Sequence, residues 1–435
     1  MFLSEISIKR PVFTVMVTIA LMTLVVEWNL LDKDGTLAPI DRRRSPAGRS
    51  PDRGPDLPGP TRGVVGDGDQ VCECGGGPGP DHRGRDCVNG ETESTYLLVI
   101  GAGPCGLAVG IAAKVAGIPC ILLDRRNIVS TIERYPLAMT FFSTPERIEI
   151  GGVPFVASHE KPTRRDGLIY YRRVAEHYAL DIRPGEEVTE AVREPNGSFR
   201  LQVQRRHDAK AYLAQAVVFA TGYFDNPNLL NVPGEDLPQV SHYFTEGHPY
   251  WHQRVVIIGA GNSAVDAALE SWRAGAHVTI VHFGDVLDRT VKPWVLPDIT
   301  NRIKEGSIAV RWRSRVRAIT PTHVEIEGDG RSAIEELPAE AVLAMTGYHA
   351  DTDILCRLGV PVDERTGIPA HDEATMSTPL PGCYLAGVIA SGNDANRLFI
   401  ENARGHGELI VRDILERRKA EYGPAERRRN RRETA

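Results

Sequence analysis

From Tyr96 onward the chain alternates short, unbroken apolar runs with glycine-rich turns and longer mixed stretches. Leu97, Leu98, Val99 and Ile100 form a run of strand length that is apolar at every position, as expected for a strand covered on both faces. A glycine-rich turn follows, then a helix expected over 107–116, then a second apolar run from Cys120 to Leu123 that ends at Asp124. The same order returns at Val255 to Ile258, with a glycine turn, a helix as far as Trp272 and a strand over 277–281. Two more runs, Val217-Val218-Phe219-Ala220 and Ala341-Val342-Leu343-Ala344-Met345, each end in a Thr-Gly turn. Strands alternating with helices in this way predict an α/β fold with parallel sheets.

The first ninety residues follow other patterns. Lys9 and Arg10 precede sixteen uncharged, mostly apolar residues from Pro11 to Val26. That run is slightly shorter than the ~17–25 residues of a membrane-spanning helix, and no small-residue cleavage site follows it to suggest a signal peptide. Between Gly35 and Gly90 there are 13 Gly and 8 Pro among 56 residues, with almost no apolar periodicity. Such a segment buries too little apolar area to offset its ordering entropy and is expected to be disordered.

Composition narrows the function class. A chain of 435 residues makes two domains the starting expectation, and a net charge of −6 gives no reason to expect a nucleic-acid partner. Seven cysteines are too few for a disulfide scaffold in so long a chain. Cys72 and Cys74 lack a second ligand pair, so no metal site is expected, and a reducing, cytoplasmic compartment is favoured.

The glycine turns carry the chemistry. In Gly101-Ala102-Gly103-Pro104-Cys105-Gly106, Gly101 makes the tight turn, Gly103 lets the backbone approach a pyrophosphate, and Gly106 permits close helix–strand packing. The helix N-terminus then faces the diphosphate, and Asp124, 23 residues after Gly101, is placed to bind ribose hydroxyls. The second turn is Gly259-Ala260-Gly261-Asn262-Ser263-Ala264, with Ala264 as an accepted variant of the third glycine. Its second strand ends in His282-Phe283 without a carboxylate to repel a 2′-phosphate, so NADPH is favoured over NADH, with Arg289 or Lys292 as phosphate partners. The fold expected is two Rossmann-like dinucleotide-binding domains. Thr221-Gly222 and Thr346-Gly347 close the two units.

Two dinucleotide turns 158 residues apart, each with a closing strand, resemble the two-dinucleotide-domain flavoproteins. That resemblance implies FAD in the first domain and NAD(P)H in an inserted second, with the chain returning through Cys383-Tyr384-Leu385-Ala386-Gly387 to the flavin. Most members have Asp after that glycine, whereas this chain has Val388. No C-x-x-C occurs anywhere, which excludes a dithiol relay of the thioredoxin-reductase or glutathione-reductase type. Cys105 remains, at a helix start where the dipole lowers a thiol pKa. On chemistry alone it is equally a redox thiol or a small packing residue.

Further strings extend the resemblance to the bacillithiol-disulfide reductase family, a single-cysteine branch of these flavoproteins. They include Gly101-Ala102-Gly103-Pro104-Cys105-Gly106-Leu107-Ala108, Phe141-Phe142-Ser143-Thr144, Tyr170-Tyr171-Arg172-Arg173-Val174, Ser241-His242-Tyr243-Phe244 and Phe399-Ile400-Glu401-Asn402. They run through nearly all of 95–416 and imply NADPH-driven reduction of a low-molecular-weight disulfide through FAD, with Cys105 as the thiol participant. Phe283 stands where that family more often has Arg. A flavin monooxygenase or a ferredoxin-type reductase shares the two folds, but Phe244-Thr245-Glu246-Gly247-His248 does not match the monooxygenase F-x-G-x-x-x-H stretch.

Other side chains were weighed against plain packing. His242, His248 and Tyr250 are placed where two domains would meet, with hinge packing or substrate contact as their readings. Ile400 lies in a segment that precedes a helix running towards Arg412, whose N-terminal amides would face a reduced flavin. Tyr135, Phe141 and Phe142 are read as core or as a wall against the isoalloxazine, and Cys120, Cys356 and Cys383 as buried thiols.

The organisation expected is an apolar helix over 1–26, a disordered linker over 27–94, an FAD domain over 95–225 and 350–416, an NAD(P)H domain over 226–349, and a basic solvated tail over 417–435. A homo-oligomer is expected. The opening string, MFLSEISIKRPVFTVMVTIALMTLVV, resembles the N-terminus of a resistance-nodulation-division efflux pump, but no pump domain follows. The expectation is therefore that residues 1–94 do not belong to the working enzyme, with Val88 a plausible start. A membrane tether, or a transport role, would rest on residues 1–26 alone.

Overall fold

Strand β1 (Thr92–Ile100) runs parallel between β2 (Cys120–Asp124) and β6 (Asp208–Phe219) at the centre of a seven-stranded sheet. The computed structural model describes residues 92–433 apart from 207, 329–332 and 395–396, with side chains described as far as Ala420. The expected apolar helix over 1–26, and the expected linker as far as residue 91, lie outside the described residues. Thr92, Glu93 and Ser94 do not belong to a linker. They face Ala211, Tyr212 and Leu213 on β6, and the Glu93 carboxylate accepts from Lys210 at 2.6 Å and Arg183 at 3.1 Å. A long partner strand supplies the backbone ladder, so these three polar residues need no apolar run of their own.

Helix α1 (Pro104–Val115) begins earlier than the apolar periodicity suggests because Pro104 fits the first helical turn. It crosses back to β2. Helix α2 (Arg164–His177) opens with a reciprocal cap, in which Thr163 Oγ1 accepts from the Asp166 amide and the Asp166 carboxylate accepts from the Thr163 amide. Strands β3 (Asp181–Pro184), β4 (Glu187–Arg193) and β5 (Phe199–Arg205) complete the first part, in the order β3-β2-β1-β6-β5-β4.

The second lobe holds a five-stranded parallel sheet. Its strands are β7 (Val240–Ser241), β8 (Arg254–Ile258), β9 (His277–Val281), β10 (Ala309–Arg311) and, after a separate hairpin sheet, β14 (Ala341–Ala344), in the order β10-β9-β8-β14-β7. Helices α3 (Asn262–Arg273) and α4 (Leu296–Lys304) join these strands. The intervening sheet is the antiparallel trio β11 (Ser314–Ile319), β12 (His323–Gly328) and β13 (Glu335–Pro338). Val255 and Ile257 of β8 pack with Ala264, Val265 and Leu269 of α3. Val256 and Ile258 pack on the other face with Val324, Ile326 and Leu337 of the trio. Coverage on both faces is why β8 is apolar at four successive positions.

The two connections between the lobes are zipped together. The Asn228 amide donates to the Gly347 carbonyl at 2.9 Å and the His349 amide to the Asn226 carbonyl at 3.0 Å, with Pro227 facing Tyr348 in an antiparallel bridge. Phe224, Tyr243 and Tyr348 stack around this crossing.

The chain re-enters the first lobe as β15 (Cys383–Leu385), parallel to the C-terminal end of β6. Here the chain forms a short helical turn, Ile400–Ala403, ahead of the helix expected towards Arg412, α5 (His406–Glu433). The break falls at Arg404 and Gly405, where the Arg404 guanidinium is pulled aside to the carbonyls of Glu146 at 2.9 Å and Glu149 at 2.7 Å. The basic segment begins inside α5 rather than as a solvated tail, with Arg417 on Asp413 at 2.6 Å and Arg418 over the Tyr96 ring. Cys356 is exposed on the short helix Asp353–Arg357, not buried as its apolar neighbours suggested. Among the described residues no helix is long and apolar enough to cross a membrane.

The junction of β1, α1 and β6 is tightest at Gly106, where a Cβ would stand 1.9 Å from the Gly101 carbonyl oxygen. Gly106→Ala should cost more than the ~1–3 kcal/mol of ordinary overpacking, because both groups in conflict are backbone. Gly110→Ala should stay within that range, since its Cβ would meet only side-chain atoms of Leu122, the nearest a methyl at 2.9 Å. Urea unfolding midpoints of the two variants check this ordering.

Candidate active site

A cavity of about 1450 Å³ opens at the C-terminal ends of the parallel strands of both larger sheets, the position where ligands sit in open α/β sheets. It exceeds the roughly 300–1,000 Å³ of a single small-molecule pocket. Gly101, Gly103, Pro104, Cys105, Asp124, Thr221, Gly222 and Gly387 line it from the first lobe, with Ile400. Gly259, Gly261, Asn262, Ser263 and His282 line it from the second. Gly106 and Ala264 are not on the wall. They lie behind it, where Gly106 meets the Gly101 carbonyl and Ala264 is fully buried with its Cβ at ordinary contact distance, 3.7 Å, from the Cβ position of Gly259. That spacing is why alanine is tolerated in the second turn.

A Cβ added at Gly103, Gly222 or Gly261 would meet nothing within 4 Å. No side chain caps α1 at Gly103 or α3 at Gly261, so the first-turn amides have no side-chain acceptor. Open space over a bare helix N-terminus suits a phosphate at each turn. Asp124 accepts from the Ala102 amide at 2.9 Å and the Arg126 amide at 2.8 Å, which pins the first turn to the end of β2. Burial raises its pKa against these two bonds.

Cys105 is half-buried on the wall, and its Sγ would lie 3.0 Å from a Cβ on Gly387. Burial pushes its thiol up to about 12. The expected lowering by the helix N-terminus is therefore corrected: desolvation dominates, and no cation acts on the sulfur to offset it. Gly387 has φ +81°, and its amide donates to Nδ1 of the buried His406 at 3.2 Å. Burial, helped by His371, lowers His406 to about 4, so the ring is neutral and free to accept.

The aromatic residues divide. Phe141 is buried in the core and borders the cavity from there, whereas Phe142 is exposed on the wall and meets Trp294 at 5.9 Å and Phe399 at 6.4 Å. Lys161 Nζ sits 3.3 Å from the centre of the Trp294 ring. Tyr135 is on the wall, edge-on to Phe224 at 5.5 Å. His242, His248 and Tyr250 are not brought to the cavity. His242 pairs with Glu235 at 3.2 Å, His248 is exposed on a short turn, and Tyr250 packs on the second-lobe core beside Phe244. Their proximity in sequence reflects the lobe junction rather than a shared wall.

The expected phosphate partners are also displaced. Lys292 is buried, with Nζ on Asp266 at 2.6 Å and above the Phe142 ring. Arg289 is exposed and is not on the cavity wall. The Asn262 side chain is committed to the same loop, donating to the Thr290 carbonyl and accepting from the Lys292 amide.

A sequence model of the pyridine nucleotide-disulphide oxidoreductases matches residues 98–387, two thirds of the chain. The chain belongs to that family. Membership implies FAD and a nicotinamide dinucleotide, and the cavity with its two glycine turns has room and donors for both. The chain is 41% identical over 320 residues to the bacilliredoxin reductase of Bacillus subtilis, covering 74% of this chain and 97% of the relative. The solved bacillithiol disulfide reductase of Bacillus cereus is 41% identical, covering 75% of this chain and all of that one, with a TM-score of 0.73. The thioredoxin reductase of T. acidophilum, at 23% identity, 73% and 97% coverage and TM-score 0.58, shares the fold.

Three wall residues of this oxidoreductase escaped the sequence reading. Asp225 accepts from Arg125 at 2.6 Å and from Arg134, and against the effect of burial these guanidiniums keep its pKa low. Glu401 accepts from Ser143 at 2.6 Å and Arg147 at 2.5 Å. Arg315 comes from β11. Asp225 and Arg315 stand in no quoted motif, and the string that contains Glu401 says nothing of its partners, which lie more than 250 positions away.

His406 makes stability depend on pH. Its folded pKa is below the unfolded value near 6.5, so the unfolded chain takes up the proton first. The stabilisation is complete above about pH 6.5 and is lost as pH falls towards 4, amounting to roughly 3 kcal/mol. His406→Asn keeps an acceptor for Gly387 but cannot titrate. Its unfolding free energy should fall less steeply than wild type between pH 6.5 and 4, and parallel curves would show that His406 titrates alike in both states.

Proposed function

We propose that this chain is an FAD-dependent NADPH oxidoreductase that reduces a low-molecular-weight thiol disulfide, of the kind named in its bacillithiol disulfide reductase relative. The observation that carries the reading is the single cysteine on the cavity wall, Cys105, at the start of α1 and against Gly387. The net reaction takes NADPH, a proton and a disulfide to NADP⁺ and two thiols. Bound FAD would supply the two-electron relay between the nicotinamide and the disulfide.

The protein's own part is to hold and to exclude. Gly101, Gly103, Pro104 and the first amides of α1 would cradle the FAD diphosphate, with Asp124 at the ribose and Thr221, Gly222, Gly387 and Ile400 along the rest. Gly106 serves behind them by letting α1 approach β1. Gly259, Gly261, Asn262, Ser263, Ala264 and His282 would do the same for NADPH. The half-exposed Phe142, Trp294 and Phe399 stack together across the two lobes, which narrows water access at that end. Cys105 would attack one sulfur of the substrate while its thiol proton passes to the leaving sulfur, releasing one thiol and forming a mixed disulfide. The hydride equivalent of NADPH and one further proton then break that bond, freeing the second thiol and restoring the Cys105 thiol.

Gly103→Val places its side chain in open space, so the protein should fold, purify colourless and unfold at the midpoint of FAD-stripped wild type. Full FAD content would refute the assignment of this turn. Cys105→Ala should keep FAD and its anaerobic bleaching by NADPH but lose most turnover of a small disulfide. Turnover at the parental rate would reduce Cys105 to packing.

A further inference from the structure

Three basic side chains line the cavity: Arg125, Lys292 and Arg315. Arg125 is held by Asp225 at 2.6 Å, and Lys292 by Asp266 at 2.6 Å. Arg315 is different. Its cross-strand neighbour on β12 is Glu327, but that carboxylate lies 3.9 Å from Arg317. Asp285, in the loop after β9, is 3.5 Å from Arg313. No carboxylate of the described residues forms an ion pair with Arg315. Its guanidinium instead lies over the Phe283 ring, 5.0 Å from the centroid, and Phe283 is 62% exposed.

Phe283 directly follows His282 at the end of β9, and both line the cavity that Gly261 and the start of α3 also line. A nucleotide whose diphosphate rests on the start of α3 runs its adenosine ribose past the end of the second strand. That brings the 2′ position to His282 and Phe283. The opposing charge nearby is Asp288, which also lines the cavity. One of its oxygens is occupied by the amide and hydroxyl of Thr290, each at 2.8 Å.

We propose that Arg315, seated on Phe283, reads the 2′-phosphate of NADPH and is the residue that sets coenzyme preference in this chain. The inference rests on the NADPH reading above. The aromatic ring steadies the guanidinium at the wall, and with no carboxylate of the described residues paired to it the donor fork is available to phosphate oxygens. Because β11 is rigidly paired to β12, the fork is presented from a strand and not from the glycine-turn loop.

The test is calorimetric titration of the FAD-loaded protein with 2′,5′-ADP and with 5′-AMP, which carry the phosphate question without any turnover. Wild type should bind 2′,5′-ADP more tightly by roughly tenfold or more. Arg315→Leu should abolish that preference while leaving 5′-AMP affinity and the unfolding midpoint unchanged. Arg315→Lys should retain part of it, since charge without the fork remains. If Arg315→Leu keeps the full preference, the role of Arg315 is overturned and NADPH selectivity stands on other groups. If wild type itself shows no preference, both this inference and the NADPH reading fail.

Discussion

The contact on which the site depends is between two pieces of backbone. Gly106 brings α1 so close to the first turn that a methyl group there would overlap the Gly101 carbonyl. Gly101 itself, at φ +111°, has its would-be Cβ position 2.4 Å from the carbonyl of Ala220. Three elements therefore converge within one van der Waals layer: the end of β1, the start of α1 and the end of β6. Their convergence turns the helix amides toward the cavity and leaves the surface above Gly103 bare. The second lobe repeats the geometry with Gly259 at φ +122° against the Met345 carbonyl at 2.4 Å. Cofactor recognition here is a packing consequence before it is an electrostatic one.

A two-lobed cavity needs a defined relation between its halves, and several contacts supply it. The paired connections at Asn226, Asn228, Gly347 and His349 form a short ladder. The Leu137 amide reaches the Thr245 carbonyl at 2.9 Å. Arg134, held by Asp225, lies over the rings of Phe224 and Tyr243. At another part of the wall, Phe142 of the first lobe touches Trp294 of the second while Lys161 covers the indole. Cys105 and Gly387 are thus enclosed by parts of the chain far apart in sequence.

Much of this was legible in the chain. The runs at 97–100, 120–123, 255–258 and 383–385 became β1, β2, β8 and β15, because strands covered on both faces must be apolar throughout. The glycine turns were legible because few other residues reach the angles of Gly101 and Gly259, and none but glycine fits at Gly106. The meander β4–β5 and the trio β11–β13 were not identified. Their strands alternate, with Leu201 and Val203 in and Arg200 and Gln202 towards solvent, and carry no motif. The turn at Arg404 and Gly405 that precedes α5 has no local signature, because the carbonyls that hold Arg404, those of Glu146 and Glu149, lie some 250 positions away in sequence. Lys292, Arg315 and the Cys105 pKa were out of reach for the same reason: charge pairing and burial are properties of the folded surroundings, whereas sequence shows only the residue and its neighbours.

The placement of β15 affects how the protein is made. The second lobe is continuous from β7 to β14, so every strand of its sheet is synthesised before β15. The first lobe is interrupted: β6 waits more than 160 residues for β15, and α1 waits nearly 300 for the start of α5. During synthesis the inserted lobe can therefore close as a unit while the lobe that began first still exposes one edge of β6 and one face of α1. A nascent chain from which β14 has emerged but β15 has not would hold a finished second lobe beside an unfinished first one.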